Sequence, residues 1–358
     1  MKALAGAGNE TTGGGVSVIV PARNEEVRIE RAVRSLATQE GRGEILVVDD
    51  QSQDRTGEIL ERLKGEIPGL RVLRLESLPP GWLGKNHALA MAAQQARGEW
   101  LLFTDADVEH RPGSLAALLD RAEATGVDLL SVSPGQETPT WWEKAVIPLV
   151  YVHLAKLFRF EEVSDPGSPV AAANGQYILI RREAYERAGG HQAVRAEILE
   201  DVELARRVKA AGGRLLFLPG AEWARTRMYS TFGELWWGWT KNLYLLYGRR
   251  IGRILATVAE MWCLDLLPLL GAVVWGMLMM LRKPDPLPVL IVAGCVLLLA
   301  LRHAFYAVQL KRLGFPRGLA GFRIPGVALL GVLLLNSARI YYLGRTVQWK
   351  GRRYSARG

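Results

Sequence analysis

Two carboxylates set two residues apart, Asp105 and Asp107, follow directly on Trp100-Leu-Leu-Phe103, four apolar residues that read as a short buried strand. Alternation along an extended chain sends both acids to the same side. Two acids beyond the carboxyl end of a sheet strand form a hard oxygen site suited to Mg2+ or Mn2+, with substrate phosphates completing the coordination. Taken alone, Asp-x-Asp is common and reads as a solvated acidic turn, so its surroundings must decide. A second acidic pair, Glu200-Asp201, opens a helical stretch with Arg206, Arg207 and Lys209 behind it. Acids in a first helical turn are also favoured by the helix dipole, whatever their chemistry.

The elements that would position these acids can be read from periodicity. Val16 to Val20 is an apolar strand closed by Pro21-Ala-Arg-Asn-Glu25, where Asn24 is placed to cap a helix carrying Ile29, Val33 and Leu36. Glu44 to Asp50 repeats the design, with Asp49 and Asp50 at the strand end and a polar turn opening a helix to about Lys64. A third strand, Leu70 to Leu75, leads through Gly84-Lys85 into an Ala-rich helix, Asn86 to Ala96, and then to the Trp100 strand. Alternating strands and helices imply a parallel sheet with crossover helices, and such sheets bind ligands beyond the carboxyl ends of their strands. Asp49, Asp50, Asp105 and Asp107 all fall there. No Gly-x-Gly-x-x-Gly follows the first strand and no Gly-x-x-x-x-Gly-Lys-Ser/Thr occurs, which disfavours a dinucleotide oxidoreductase and a P-loop NTPase. A helix (Pro112 to Ala124) and strands (Asp128 to Val132, Tyr177 to Ile180) extend the sheet.

Charge is unevenly distributed. The net charge of the 358 residues is +9, yet residues 251–358 hold 14 Lys/Arg against 3 Asp/Glu, leaving 31 against 33 in residues 1–250. The basic excess belongs to the apolar C-terminal part, which points to an anionic lipid surface and away from nucleic acid, and positive flanking of membrane spans accounts for most of it. Residues 1–15 are Gly-rich and lack an apolar core, so a flexible start without a cleaved signal peptide is expected, with the first domain cytoplasmic. The two cysteines, Cys263 and Cys295, lie in apolar runs and support neither a disulfide framework nor a zinc site.

Residues 16–250 therefore read as a globular domain and 251–358 as a membrane domain. Apolar runs place spans at about 258–281 and 287–310, and a poorer third helix at about 324–343 contains Asn336 and Arg339. Residues 141–160 mix aromatics, aliphatics and cations, as a membrane-interface helix or a core helix would; 228–250, rich in Trp, is a second interface candidate.

Five collinear motifs, Pro21-Ala-Arg-Asn-Glu25, Val48-Asp-Asp-Gln-Ser-Gln-Asp54, Gly84-Lys85-Asn86, Asp105-Ala-Asp107 and Glu200-Asp201, resemble the family 2 glycosyltransferases of GT-A fold over roughly residues 15–245. Asn174-Gly-Gln, Gly189-Gly-His191 and Trp349-Lys-Gly-Arg352 resemble the membrane-attached members that glycosylate lipids, including carotenoid-associated and ceramide-type enzymes. The resemblance implies an α/β catalytic domain, a UDP-sugar donor, a membrane lipid acceptor, and Mn2+ or Mg2+ on the diphosphate. It implies nucleotide-sugar binding by Pro21, Arg23, Glu25, Asp50, Lys85 and Asp105, metal binding by Asp107 with Asp105, and general-base catalysis by Asp201 beside Glu200. Processive relatives carry Gln-x-x-Arg-Trp, where this chain has Trp236-Trp-Gly-Trp-Thr-Lys241; Lys241 or Arg227 would then supply a cation to the diphosphate. A nucleotidyltransferase on the same sheet and a non-catalytic membrane scaffold are the alternatives. The first would not need Glu200-Asp201, and the second would have no use for the whole acidic set.

Overall fold

In the computed structural model, residues 15–281, 286–344, 346–349 and 351–355 are described; the expected flexible start, up to residue 14, lies outside them. The chain divides into two compact units, one comprising the chain up to Ser133 with Val163–Leu218, the other Pro134–Glu162 with the chain from Pro219. Composition had placed a boundary at residue 250, whereas contacts group 134–162 and 219–250 with the apolar helices.

The first unit is built on β1 (Val16–Ala22), whose Val16, Val18, Ile19 and Val20 are fully buried, as expected of a parallel strand covered on both faces. The next elements are α1 (Ile29–Ala37), β2 (Arg42–Asp49), α2 (Thr56–Glu66), β3 (Leu70–Arg74), α3 (Gly84–Gln95), β4 (Trp100–Phe103), β5 (Val108–His110), α4 (Ser114–Thr125) and β6 (Leu129–Gln136). β1 lies between β2 and β4, parallel to both, with Val18 opposite Ile45 and Leu102. After α5 (Trp141–Leu157) and α6 (Phe160–Ser164) come β7 (Ile178–Arg181), α7 (Arg182–Arg187), α8 (Gly190–Ala193), α9 (Glu200–Ala210) and β8 (Leu215–Thr226). The sheet order is β3-β2-β1-β4-β7-β6-β8-β5, and β7 runs antiparallel to both β4 and β6, so the parallel expectation holds for the first four strands and the sheet as a whole is mixed. One local expectation fails: Asn24 does not cap α1, which begins after Arg28, because Asn24 takes φ 52° and its Oδ1 accepts the Gln53 N–H at 2.8 Å.

The second unit is helical. It holds α5, α10 (Phe232–Leu246), α11 (Ile251–Met261), a π turn (Trp262–Leu266), α12 (Leu267–Leu281), α13 (Pro286–Arg312), a 3-10 turn (Arg317–Phe322) and α14 (Arg323–Tyr342), then the antiparallel pair β9 (Thr346–Trp349) and β10 (Arg352–Ser355). Val146, Ile147, Leu149, Val150 and Val152 of α5 are buried in this core with Trp239, Leu330 and Leu334, as the core-helix reading expects. Among the described residues, three stretches are long and apolar enough to cross a membrane: Ile251–Leu281, Pro286–Arg312 and Arg317–Tyr342. They are not alike. No part of the most apolar window of Pro286–Arg312 is buried, against 44% for Arg317–Tyr342.

The difference follows from the polar residues of α14. Ser337 donates to the Thr240 carbonyl at 2.7 Å and accepts the Tyr244 N–H at 2.9 Å, while Asn336 donates to Thr240 Oγ1 at 3.2 Å. Buried polar groups need such partners, and α10 supplies them. On α5 the approach is closer still: a Cβ at Gly326 would lie 2.2 Å from the Ala145 carbonyl oxygen. Buried Asp265 in the π turn receives Arg323 at 2.8 and 2.9 Å and Arg302 at 2.8 Å, tying α13 and α14 to the first apolar helix.

Candidate active site

β4 ends at Phe103, so Asp105 and Asp107 occupy the turn before β5, and the alternation argument that put both on one side does not reach them. The turn is anchored beneath: the Thr104 N–H donates to the Ile19 carbonyl at 3.1 Å and its hydroxyl to the Gln176 carbonyl at 2.8 Å. Lys85, in the first turn of α3, reaches into this region. Its Nζ lies 2.8 Å from Asp105 Oδ1 and 2.8 Å from Glu200 Oε1. Asp201, next to Glu200 at the start of α9, accepts the Gly175 N–H on Oδ2 at 2.9 Å and the Val202 N–H on Oδ1 at 2.8 Å.

Gly175 is where these groups meet. A Cβ there would stand 3.0 Å from Lys85 Nζ, 3.4 Å from Asp201 Oδ2 and 3.5 Å from Glu200 Oε1. The sequence offered the Asn174-Gly175-Gln176 stretch without a role for it, since a peptide N–H carries no side-chain signature. Burial alone would lower the Lys85 ammonium, but Asp105, Glu200 and Asp201 around it hold it well above its ordinary value, so it stays charged. Burial and the neighbouring Glu200 push the Asp201 carboxyl up to about 6, against the opposing pull of Lys85. A carboxylate titrating near there is suited to accept a proton.

The second group of site residues sits at the ends of β1 and β2. Arg23 Nη1 donates to the Asp50 carbonyl at 2.6 Å and to that of Gln51 at 3.3 Å, and the Asp50 N–H donates to the Ala22 carbonyl at 2.8 Å. Glu25 is buried; its N–H donates to Thr56 Oγ1 at 2.7 Å and its carboxylate pairs with Arg28 at 3.2 Å. The Pro21–Glu25 turn is thus laced to the turn after β2. A cleft of about 370 Å³ opens nearby, lined by Asp49, Gln51, Ser52, Asp54 and Arg74 among others, with Asp49 rather than Asp50 in its wall.

Arg227 and Lys241 belong to the second unit. Arg227 donates to fully buried Glu143 at 2.9 Å, so its guanidinium is engaged by that carboxylate, and the Lys241 carbonyl accepts the Tyr341 hydroxyl at 2.7 Å. For a divalent metal, Asp105 and Asp107 supply hard oxygens. Among the described residues no group of three or more His, Cys, Asp or Glu side chains is arranged to hold an ion, so a cation on these two acids would need ligand oxygens to complete its shell.

Residues 17–189, just under half of the chain, match the family described as glycosyl transferase family 2. Glu200 and Asp201 fall just beyond the matched span. Among named proteins, the chain is 28% identical over 241 residues to the 4,4'-diaponeurosporenoate glycosyltransferase of Staphylococcus haemolyticus (strain JCSC1435), covering 64% of this chain and 60% of that protein. It is 28% identical over 248 residues to the protein of the same name in Staphylococcus aureus (strain MRSA252), covering 68% and 64%. The chain therefore matches less than two thirds of the length of these relatives. Similar solved structures include a mannosyltransferase from Pyrobaculum calidifontis in complex with GDP-Man and Mn2+ (TM-score 0.48, 18% identity, 92% of this chain and 87% of that one). Another is S. aureus TarS 1-349 in complex with UDP-GlcNAc (TM-score 0.45, 15% identity, 95% of each chain).

Proposed function

We propose that the protein is an inverting, metal-dependent hexosyltransferase that moves a sugar from a UDP-sugar to a hydroxyl of a lipid-type acceptor at the cytoplasmic face of a membrane. The observation that carries this reading is the Lys85–Asp105–Glu200–Asp201 constellation, in which one carboxylate is held by two peptide N–H groups and pushed up to about 6. Asp201 takes the proton from the acceptor hydroxyl as that oxygen attacks the anomeric carbon from the face opposite the leaving UDP, with no covalent enzyme intermediate. Lys85 keeps the acidic cluster from repelling an anionic donor, and Arg23, Glu25 and Asp50 shape the nucleotide end. Asp105 and Asp107 would hold a divalent cation, which when bound neutralises charge on the departing diphosphate.

The relatives' name supports a lipid-like acceptor, and the apolar helices of the second unit support a membrane setting. In this reading the first apolar stretch, at about residues 258–281 through the π turn and α12, and then α13 cross the bilayer, while α14 stays packed on α5 and α10. Arg249, Arg250 and Arg253 flank the first span on the domain side, as positive-inside topology expects. The test is chromatographic analysis of lipids from expressing cells, with their membranes supplied with labelled UDP-glucose or UDP-N-acetylglucosamine. A labelled lipid formed with release of free UDP is expected. Pyrophosphate released from UTP and a sugar 1-phosphate, with no transfer from either UDP-sugar, would instead make the protein a nucleotidyltransferase, and no labelled lipid from either donor would remove the reading.

A further inference from the structure

Asn86 stands beside Lys85 in an otherwise Ala-rich helix, at a position where Asn is a poorer helix former than Ala. It is 1% exposed. Its amide donates to the carbonyls of Val194 at 2.8 Å, Arg195 at 3.2 Å and Glu197 at 2.9 Å, two hydrogens shared among three acceptors. The Leu83 N–H adds a fourth bond, to the Arg195 carbonyl at 2.9 Å, and the Glu197 N–H closes the turn on the Val194 carbonyl at 2.9 Å. Three carbonyl oxygens converging on one buried point repel one another unless a donor sits between them, so this turn keeps its shape through the Asn86 amide.

The turn is the approach to α9. Three residues beyond Glu197 the chain reaches Glu200, whose carboxylate meets Lys85 Nζ at 2.8 Å, and then Asp201. Consecutive residues of α3 therefore grip both ends of segment 194–201: Asn86 holds the turn and Lys85 holds the first residue of α9. Resting on the glycosyltransferase reading above, we infer that Asn86 is a positioning residue for the Glu200–Asp201 pair, setting where the α9 carboxylates stand relative to Lys85 and Asp105. Asn86 itself touches neither carboxylate's proton nor the donor. Its effect passes through the backbone of residues 194–199.

The experiment uses the full chain in detergent or in membranes, with Asn86→Ala, Asn86→Asp and Asn86→Ser. Transfer is normalised to the number of UDP-binding sites measured by calorimetry, so that loss of folded protein does not count. Asn86→Ala is expected to lower kcat about 10- to 100-fold, the effect of a misplacement of roughly an ångström, with the donor KM within about twofold. Asn86→Asp, which sets a carboxylate against three carbonyls, falls lower still, and Asn86→Ser, which keeps one donor, lies between Ala and the parent. Hydrogen exchange at the amides of residues 194–203 is expected to quicken in the Ala variant, while β1 and β4 stay protected. A kcat within about threefold of the parent in Asn86→Ala, an Asp variant as active as the parent, or unchanged exchange in 194–203 would each overturn the inference. If the parent transfers nothing from any UDP-sugar, the functional reading fails, and hydrogen exchange still decides the role of Asn86.

Discussion

Asp201 binds two peptide N–H groups, yet burial and Glu200 raise its carboxyl to about 6, so the buried environment outweighs those hydrogen bonds. In the proposed role of general base it would work only when ionised. Activity is therefore expected to be present above pH 6 and to be lost as pH falls through that value, while Lys85, held above its ordinary value, stays charged throughout. Asp201→Asn should keep donor binding, lose about 10²–10⁴-fold in transfer, and flatten that acidic limb. Steady-state rates between pH 5 and 8 decide it: turnover within about tenfold of the parent places the base elsewhere. Asp107→Ala tests the metal assignment separately. Calorimetric binding of UDP that depends on Mn2+ is expected in the parent and absent from the variant, and undiminished Mn2+-dependent binding would remove Asp107 from the metal. Asp201 and the Asp105–Asp107 pair were legible as candidates because carboxylates at the ends of strands and the starts of helices are visible in order along the chain. The Gly175 N–H was not, because any residue type offers one. Nor was the engagement of Arg227 by Glu143, because the two lie 84 residues apart and only folding brings them to 2.9 Å.

Among the elements, α14 shows how context overrides composition. Its sequence is that of an indifferent membrane span in which Asn336 and Arg339 are costly, yet α10 partners both Asn336 and its neighbour Ser337. The approach of α14 to α5 depends on Gly326, where a Cβ would meet the Ala145 carbonyl at 2.2 Å. Gly326→Ala is expected to destabilise the protein by about 1–3 kcal/mol, the usual range for overpacking, which lowers the melting midpoint by roughly 2–12 °C for a unit of this size. Gly276→Ala in α12, where nothing lies within 4 Å of the added Cβ, serves as the control and should leave the midpoint unchanged or raise it. Equal effects of the two substitutions in a thermal melt would show that the α5–α14 contact does not limit stability.

For the molecule as a whole, the unequal clothing of the three apolar helices bears on topology. Basic residues gather after the second stretch, at Lys311, Arg312, Arg317 and Arg323, and again in the tail at Arg345, Lys350, Arg352, Arg353 and Arg357. Three crossings would put the tail on the far side of the membrane from the catalytic domain. Two crossings with α14 held by protein keep both basic segments on the cytoplasmic side, in line with the positive-inside rule. A cysteine at Ser355, in a background lacking Cys263 and Cys295, should resist an impermeant maleimide in intact cells and react after permeabilisation. Labelling of intact cells would place the tail outside and refute the two-crossing arrangement.

What the sequence determined by itself is what contiguous residues encode. The run Val16–Val20, the helical spacing of Ile29, Val33 and Leu36, and the apolar stretches after residue 250 each signal an element through a period of two, of 3.6, or through length alone. Parallel pairing of the first four strands follows from their alternation with helices. Which strand lies next to β4 was left open, and the structure settles it with β7, which returns antiparallel after an excursion of some seventy residues that no local pattern records. The same holds for Lys85. Its motif was visible, but its bridge between Asp105 and Glu200, 20 and 115 residues further on, exists only because α3, the β4 turn and α9 converge. Periodicity is a property of neighbours along the chain, whereas ion-pair partners, unit boundaries and the covering of α14 depend on the path the chain takes in space.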